Sequence, residues 1–197
     1  MSIFFAYLNR MRLIRRWGLM RCTQPENDAE HSLQVAMLAH GLAMLARDRY
    51  GREVDPNHVL AMAVYHDASE VLTGDMPTPI KYHDAELKQA YGRMEELATR
   101  RLREMAPADL REALTPYLMP EEDYAWKLVK AADKMSAYVK CLEEQRAGNH
   151  EFDAAQKSIL AWLRAVELPE VQDFFDEFIP AFGLSLDELK DAEETLK

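Results

Sequence analysis

A histidine and an aspartate stand side by side at the end of an apolar run in AMAVYHDASEVLTGDMPTP, residues 61–79. Both side chains are normally solvated or paired rather than buried, so their place on an apolar helix indicates a chemical role. Glu70 follows His66 by four residues and Asp67 by three, so in a helix it shares a surface with both. Because imidazole and carboxylate groups bind divalent cations, this stretch predicts part of a metal site.

Two ligands do not complete such a site, and the others must come from distant helices. His31 and Asp133 are the candidates, because each interrupts an otherwise apolar helical face. His40 lies nine residues after His31, on the opposite side of the same helix, and is left out. Taken separately, His31 is also compatible with a capping or partly buried polar group, and Asp133 with a carboxylate paired to Lys130 or Lys134.

Apolar residues spaced by three and four predict helices almost throughout, and strand patterns are absent. We predict an all-α fold of roughly eight helices in a single domain over residues 1–197, since repeats and flexible linkers are also absent. Pro77 and Pro79 are expected to prevent a new helix directly after Gly74. The predicted helices cover about 3–16, 27–48, 56–72, 84–105, a short piece after Pro107, 121–147, 151–167, 169–180 and a last one opening at Ser185.

Composition narrows the function classes. The sequence has 24 Lys and Arg against 34 Asp and Glu, a net charge of −10, which argues against a protein that coats nucleic acid polymers. Cys22 and Cys141 are too few for a disulfide framework, so we expect free thiols and a cytoplasmic location. Asn9 and Arg10 interrupt the apolar N-terminal stretch, which argues against a signal peptide, a membrane span and a membrane partner.

The order His31, His66, Asp67 and Asp133 resembles the signature of the HD-domain metal-dependent phosphohydrolases, which are all-α. Five segments are similar, in the same order over nearly the whole chain, to the bacterial 5′-deoxynucleotidases of the YfbR group: RWGLMR, EHSLQVAMLAH, YHDASEVLTGDMPTPIKY, VKAADKMSAYVKCLEE and LSLDEL. The resemblance implies hydrolysis of deoxyribonucleoside 5′-monophosphates to deoxynucleoside and phosphate, with discrimination against ribonucleotides. It also implies one divalent metal, with cobalt effective, and a homodimer.

By this resemblance, His31, His66, Asp67 and Asp133 ligate the metal, and the two aspartates also face the substrate. The mixed ligand set leaves the ion open among Co, Mn, Mg and Zn. Glu70 is the candidate catalytic acid/base or water-orienting residue, against the alternative of an exposed glutamate at a helix end.

The resemblance assigns Arg16 to the substrate phosphate and Trp17 to the nucleotide. A guanidinium binds phosphate through two parallel hydrogen bonds, which lysine does not reproduce. Taken alone, the five arginines between Arg10 and Arg21 are equally compatible with a solvated face or a membrane-surface helix. The sugar-contacting segment is assigned to Asp75, Met76, Pro77 and Thr78.

A preference for deoxy sugars follows if Asp75 and Trp17 leave no space beside C2′.

The sequence departs from the family at NDAEHS, where a pattern such as VSEHS is expected, and we expect this to affect a helix cap and not the ligands. The charged helix over 84–105 is a candidate dimer contact. Two other functions stay open: an HD-type phosphodiesterase or nucleotide pyrophosphohydrolase, and a non-enzymatic helical interaction domain.

Overall fold

A computed structural model describes residues 1–81 and 83–195, and in these residues every regular element is a helix. The α-helices are α1 Phe4–Leu8, α2 Asp28–Tyr50, α3 Pro56–Tyr65, α4 Glu70–Thr73, α5 Thr78–Lys81, α6 Ala85–Met105, α7 Arg111–Leu118, α8 Tyr124–Arg146, α9 Asp153–Ala165, α10 Pro169–Glu177 and α11 Leu186–Thr195. Short 3-10 helices cover Asn9–Leu13, His150–Phe152 and Ile179–Gly183. The all-α prediction is confirmed, and eight of the α-helices have eight or more residues.

The core forms around α2 and α8, the two longest helices. Asn27 caps α2 by accepting hydrogen bonds from the backbone of Ala29 and Glu30, and Gly51 ends the helix with a φ of 62°. α2 packs against α3, α8 and α10, and α8 also packs against α9. The buried side chains of this core include Val35, Leu42, Leu128, Met135 and Phe175. Both central helices are therefore held rigidly from several sides.

A second, smaller apolar cluster supports the turn that follows α3. Phe4 of α1, Leu102 of α6 and Leu118 of α7 pack together with Ala68. Ala68 is fully buried, so the turn carrying His66 and Asp67 is fixed against α6 and α7.

The predicted helix over 56–72 is wrong in its length, because α3 ends at Tyr65 and α4 begins only at Glu70. Between them the backbone tightens: the amide of Ala68 bonds to Tyr65 and that of Glu70 to Asp67, both three residues back. Side chains three residues apart lie directly above one another in such a turn, so Glu70 is aligned with Asp67. The first predicted helix is also shorter, with its α-helical part ending at Leu8.

The expectation that no helix follows directly after Gly74 is confirmed, because residues 75–77 are not helical. α5 begins at Thr78 and contains Pro79 in its first turn. Proline is tolerated there because the amides of a first turn have no partner within the helix.

Cys22 and Cys141 are free thiols, as predicted. No described helix combines the length and the apolar character needed to span a bilayer.

Candidate active site

Three of the predicted metal ligands converge from three helices. His31 lies in the first turn of α2, His66 at the end of α3 and Asp133 in the middle of α8, and one ligand atom of each lies within 4.8 Å of the others. The His31 Nε2 atom is 3.2 Å from Asp133 Oδ1. Neither Lys130 nor Lys134 forms an ion pair with Asp133 among the described residues. The carboxylate is thus directed at the histidines rather than at its lysine neighbours.

Asp67 adds a fourth ligand-type side chain to this cluster. Its Oδ2 atom lies 3.0 Å from His66 Nε2 and 3.6 Å from His31 Nε2. All four residues that the sequence pattern selected therefore meet at one point, although they come from three separate segments of the chain.

The hydrogen bonds on the far side of each ring determine what the histidines offer. His66 Nδ1 lies 2.7 Å from the carbonyl oxygen of Ala63, so Nδ1 must donate and Nε2 carries the lone pair. His31 Nδ1 lies 3.1 Å from the hydroxyl of Ser136, which itself donates to Gln34 over 2.5 Å. The network therefore assigns the Nδ1–H tautomer to His31 as well.

Neither Nε2 atom forms a hydrogen bond, although a carboxylate oxygen lies 3.2 Å from that of His31 and 3.0 Å from that of His66. They are buried, and His31 and His66 are almost fully shielded from solvent. An unpartnered buried polar atom is costly, and two that face two carboxylates make a donor set suited to a divalent cation. The residues present thus fit the metal that the sequence predicts.

The electrostatics of the cluster also favour a positive charge. Burial and Arg16 lower the pKa of His31, but Asp133 and Glu26 raise it, with a net rise to about 9. Burial raises the pKa of Asp67, but the neighbouring His66, His31 and Arg16 hold it well below its usual range. The site therefore stabilises positive charge between its carboxylates, whether a proton or a metal ion carries it.

Arg16 packs against this cluster with its side chain only 13% exposed. Its Nη1 atom donates to Asp67 Oδ2 over 3.3 Å, and its Nε atom lies 3.8 Å from Glu26 Oε2 without forming a hydrogen bond. Of the five arginines in this segment, Arg10, Arg12, Arg15 and Arg21 are exposed and form no ion pair among the described residues. Arg16 alone combines burial with spare donors beside the cluster.

Trp17 is held in an unusual backbone conformation next to Arg16. Its φ is 58°, the only positive φ at a non-glycine residue in the described chain, and such a conformation is strained for a bulky side chain. The indole Nε1 donates to Glu26 over 2.7 Å, and the ring packs edge-on against Phe152 at 5.1 Å. These contacts stabilise the strained residue and direct the indole.

A buried ion pair ties the loop that carries Arg16 and Trp17 to α8. Glu144 accepts hydrogen bonds from the backbone and hydroxyl of Thr23, from Lys140 and from Asn149, at 2.6–3.1 Å. Lys140 also donates to the carbonyl oxygen of Gln24 over 2.6 Å. The loop therefore has a fixed position relative to Asp133, which lies on the same helix.

Glu70 is buried rather than exposed, which removes the alternative of a solvated glutamate at a helix end. It is 7% exposed, and its carboxyl lies close enough to the fully buried Asp28 for each group to shift the pKa of the other. Burial, Asp67 and Asp28 all raise the pKa of Glu70. In the same NDAEHS segment Asn27 caps α2, as expected, and Asp28 adds an interaction with Glu70, which is not one of the candidate ligands.

The predicted sugar-contacting segment divides into two parts. Asp75 is half-buried and close enough to Arg16 and Asp67 for its pKa to respond to both, although burial raises that pKa most. Met76 and Pro77 are half-buried and Thr78 is exposed at the start of α5. No contact of these three reaches the histidines among the described residues.

Sequence reasoning missed three residues of the site. Glu26 joins Arg16, Trp17 and His31, Ser136 orients His31, and Asp28 lies against Glu70. Ser136 follows Asp133 by one helical turn, a spacing that a search for supporting residues could have used. Glu26 lies in a loop and has no periodicity that could have revealed it.

Comparison with known proteins indicates the same enzyme family as the residues of the site. Residues 3–182 match the family described as 5′-deoxynucleotidase YfbR-like. The 5′-deoxynucleotidase VP0926 of Vibrio parahaemolyticus is 47% identical over 192 residues, covering 95% of this chain and 98% of that protein. The 5′-deoxynucleotidase YfbR of Shigella flexneri is 48% identical over 191 residues, covering 95% of this chain and 96% of that protein.

Two solved structures share the fold. An HD-domain phosphohydrolase from Listeria innocua has a TM-score of 0.80 at 26% identity, covering 91% of this chain and 87% of that chain. A cyanophage S-2L HD phosphohydrolase, solved with dA and one catalytic Zn²⁺ ion, has a TM-score of 0.61 at 24% identity, covering 89% of this chain and 95% of that chain. A family match over most of the chain, nearly full-length relatives and an HD-domain fold lead to one conclusion: this chain belongs to the YfbR-like 5′-deoxynucleotidase family and is a nucleotide-hydrolysing enzyme.

Proposed function

We propose that this enzyme is a metal-dependent phosphomonoesterase that converts deoxyribonucleoside 5′-monophosphates to deoxynucleoside and phosphate and discriminates against ribonucleotides. The observation that carries the proposal is the pair of unpartnered Nε2 atoms of His31 and His66, which face two carboxylates beside a largely buried arginine. His31, His66, Asp67 and Asp133 would hold one divalent cation, with Co, Mn, Mg and Zn all compatible with this donor set. When bound, such a cation polarises a phosphoryl oxygen and acidifies water.

Arg16 binds the substrate phosphate in this proposal. Its Nε atom is buried without a hydrogen-bond partner, and its Nη1 contact with Asp67 at 3.3 Å is long for a charge-assisted hydrogen bond. The guanidinium therefore has donors to offer to a phosphate that lies beside the cluster. Trp17, fixed by Glu26 and Phe152, packs against the nucleoside part.

Glu70 acts as the acid/base residue. It lies one turn from Asp67 and is shielded from solvent, so a proton held on its carboxyl is not exchanged freely with bulk water. In the reaction the carboxyl either donates that proton to the leaving 5′ oxygen or, once ionised, accepts one from the attacking water. Positioned proton transfer of this kind typically contributes 10²–10⁴-fold to a rate.

Asp75, Met76, Pro77 and Thr78 contact the sugar. Support comes from Asp75, whose carboxyl is close enough to Arg16 and Asp67 to interact with both. Discrimination against ribonucleotides follows if Asp75 and Trp17 fill the space beside C2′, because a clash or an unpaired hydroxyl there weakens binding of the ribose form.

We also propose a cytoplasmic homodimer. Support comes from α6, where Leu97 is 66% and Met94 40% exposed on a helix that is otherwise heavily charged. Sedimentation of the protein and of a Leu97→Glu variant tests this contact, since a charge in the interface dissociates the dimer. An unchanged dimer in that variant would move the interface away from α6.

The deciding experiment measures phosphate release from dAMP and AMP by chelator-stripped protein, with Co, Mn, Mg or Zn added back singly. We expect metal-restored release from dAMP and little from AMP. Release from neither under any ion would overturn the proposed reaction. Equal rates would keep the phosphomonoesterase and remove Asp75 and Trp17 from sugar selection. A phosphodiester substrate, assayed in parallel, distinguishes the proposed phosphomonoesterase from the phosphodiesterase alternative.

A further inference from the structure

A cavity separate from the candidate active site opens at the beginning of α8. Its volume is about 680 Å³, within the range of small-molecule sites. It is bounded by the first two turns of α8, the end of α9, the segment leading into α10 and Arg52 after α2. None of its lining residues belongs to the candidate active site, so the two are distinct in composition.

Aromatic side chains provide flat surfaces in this cavity. Trp126 is half-buried, and Trp162 is 40% exposed on the neighbouring helix. The hydroxyl of Tyr124 donates to the buried carboxylate of Glu170 over 2.6 Å, which fixes the third ring. Leu168 is buried and adds apolar surface. Indole faces of this kind stack on flat ligand rings such as a nucleobase.

Three cations surround the same rings. Lys130 Nζ lies 4.6 Å from the centre of the Trp126 ring, and the Arg52 guanidinium lies 5.8 Å from that of Tyr124. Lys127 also lines the cavity. In the described part of the chain none of these three side chains forms an ion pair with a carboxylate, although the protein carries a net charge of −10. Cations left without carboxylate partners in so acidic a protein favour an anionic ligand.

Two carboxylates, Glu122 and Glu167, also line the cavity and leave it with one excess positive charge. They disfavour a simple multivalent anion, because it would meet repulsion on one side. They suit a ligand that presents amino or hydroxyl donors at one end and a phosphate at the other. A flat ring, hydrogen-bond donors and a phosphate together describe a nucleotide.

We propose that this cavity is a second binding site, for a nucleoside phosphate, in which the base stacks on Trp126 and Trp162 and the phosphate lies among Lys127, Lys130 and Arg52. The proposed site shares no residue with the catalytic assignments, so a negative binding result here would not argue against the proposed reaction. Its nearest residue on α8 is Lys130, which precedes Asp133 by three residues, so both sites share this helix.

The distribution of tryptophans makes the test selective. The chain has three tryptophans, of which Trp17 lies in the candidate active site and the other two line this cavity. In a Trp17→Phe variant, intrinsic fluorescence therefore reports on the cavity alone. We titrate this variant, stripped of metal to prevent turnover, with AMP, with adenosine and with inorganic phosphate. We expect a saturable change with AMP at or below about 1 mM, the upper end of usual metabolite affinities, and at least about tenfold weaker responses to the two fragments.

Variants of the lining lysines and a control lysine test whether the fluorescence change arises from AMP bound in this cavity. Replacing Lys127 and Lys130 by glutamine should weaken AMP binding at least about tenfold, because two charge-assisted contacts are lost. Lys157→Gln, an exposed charge change on α9, should leave binding unchanged. The proposal is overturned by an absent AMP response, by a response that the double glutamine variant retains, or by equal affinity for inorganic phosphate. It is also overturned if Trp162→Ala dissociates a dimer in sedimentation, since the cavity is then a subunit interface.

Discussion

Asp28 and Glu70 bring two carboxyl groups close enough together in the interior of the protein for each to shift the pKa of the other. Neither Asp28 oxygen, nor Glu70 Oε2, has a donor group as a partner. Two buried carboxylates repel each other, so the pair is stable only when one of them holds a proton. Burial raises the pKa of both carboxyls; Asp28 raises that of Glu70 further, whereas Glu70 lowers that of Asp28. Asp28 therefore bears directly on the protonation of the candidate catalytic residue.

Asp28→Asn is expected to change stability in a pH-dependent way. A carboxyl whose pKa is raised by folding takes up a proton when the chain folds, so stability falls as pH rises from about 4 towards the folded-state pKa. Removing this carboxyl should raise the free energy of unfolding by about 1–3 kcal/mol at pH 8 and by much less at pH 4. Urea denaturation of chelator-treated protein at the two pH values measures the difference, and an equal effect at both would contradict a proton held by the pair of Asp28 and Glu70.

The same variant should move the pH–rate profile. The substitution removes a negative charge beside Glu70 and introduces an amide that can donate a hydrogen bond to it, so ionisation of Glu70 becomes easier and its pKa falls. We expect the limb governed by Glu70 to shift to lower pH, with KM for dAMP changed little. Asn27→Ala is the matched control, since it removes the helix cap beside Asp28 without touching the carboxyl pair. A shift of equal size in that control would assign the effect to the helix end.

Glu70→Ala should retain the fold and the metal and lose most turnover, about 10²–10⁴-fold in kcat. Glu70→Gln, which keeps the shape but cannot transfer a proton, should lose nearly as much. Steady-state kinetics with metal content measured on the same samples separates lost catalysis from lost metal. Wild-type kcat in either variant would remove Glu70 from the acid/base role.

Arg16→Lys should lower kcat/KM for dAMP about ten- to a hundredfold, because lysine does not reproduce two parallel hydrogen bonds to a phosphate. Arg15→Lys is the matched control, since Arg15 is the exposed neighbour and forms no ion pair among the described residues. Kinetics of both variants at saturating metal make the comparison. Equal values for the two would refute Arg16 as the phosphate ligand.

His66→Ala should reduce metal affinity at least about 100-fold, because its unpartnered Nε2 is one of the four converging donors. Binding raises stability by about 2.7 kcal/mol at an ion concentration of 100 Kd, so wild-type Tm should rise with added metal and that of the variant should not. His150→Ala, at an exposed position, should behave as wild type. A full metal response in His66→Ala would exclude His66 as a ligand.

Asp75→Ala should lower the ratio of kcat/KM for dAMP over AMP about tenfold, because space opens beside C2′ and the ribose form is accepted. Activity on dAMP should fall less than the ratio does. Parallel assays of both substrates at one metal concentration give the ratio directly. A ratio equal to that of the wild type would mean that Asp75 takes no part in sugar discrimination.

Local sequence patterns were sufficient to predict the long helices and the residue types of the site. Periodicity of apolar residues predicts the long helices α2, α6 and α8 because a helix buries one face whatever its partners are. The order of histidines and aspartates identified side chains that do meet in space. Segment similarity named the family, which the comparisons confirm.

Which groups are buried, and what they face, depends on how the helices pack together. Asp28 looks like a residue of a helix start, and its burial against Glu70 follows from how α2 packs on the turn after α3. The break at His66, the left-handed backbone of Trp17 and the contacts of Glu26 likewise depend on neighbours distant in sequence. Desolvation and long-range contact are properties of the packed chain, and local sequence patterns carry no record of them.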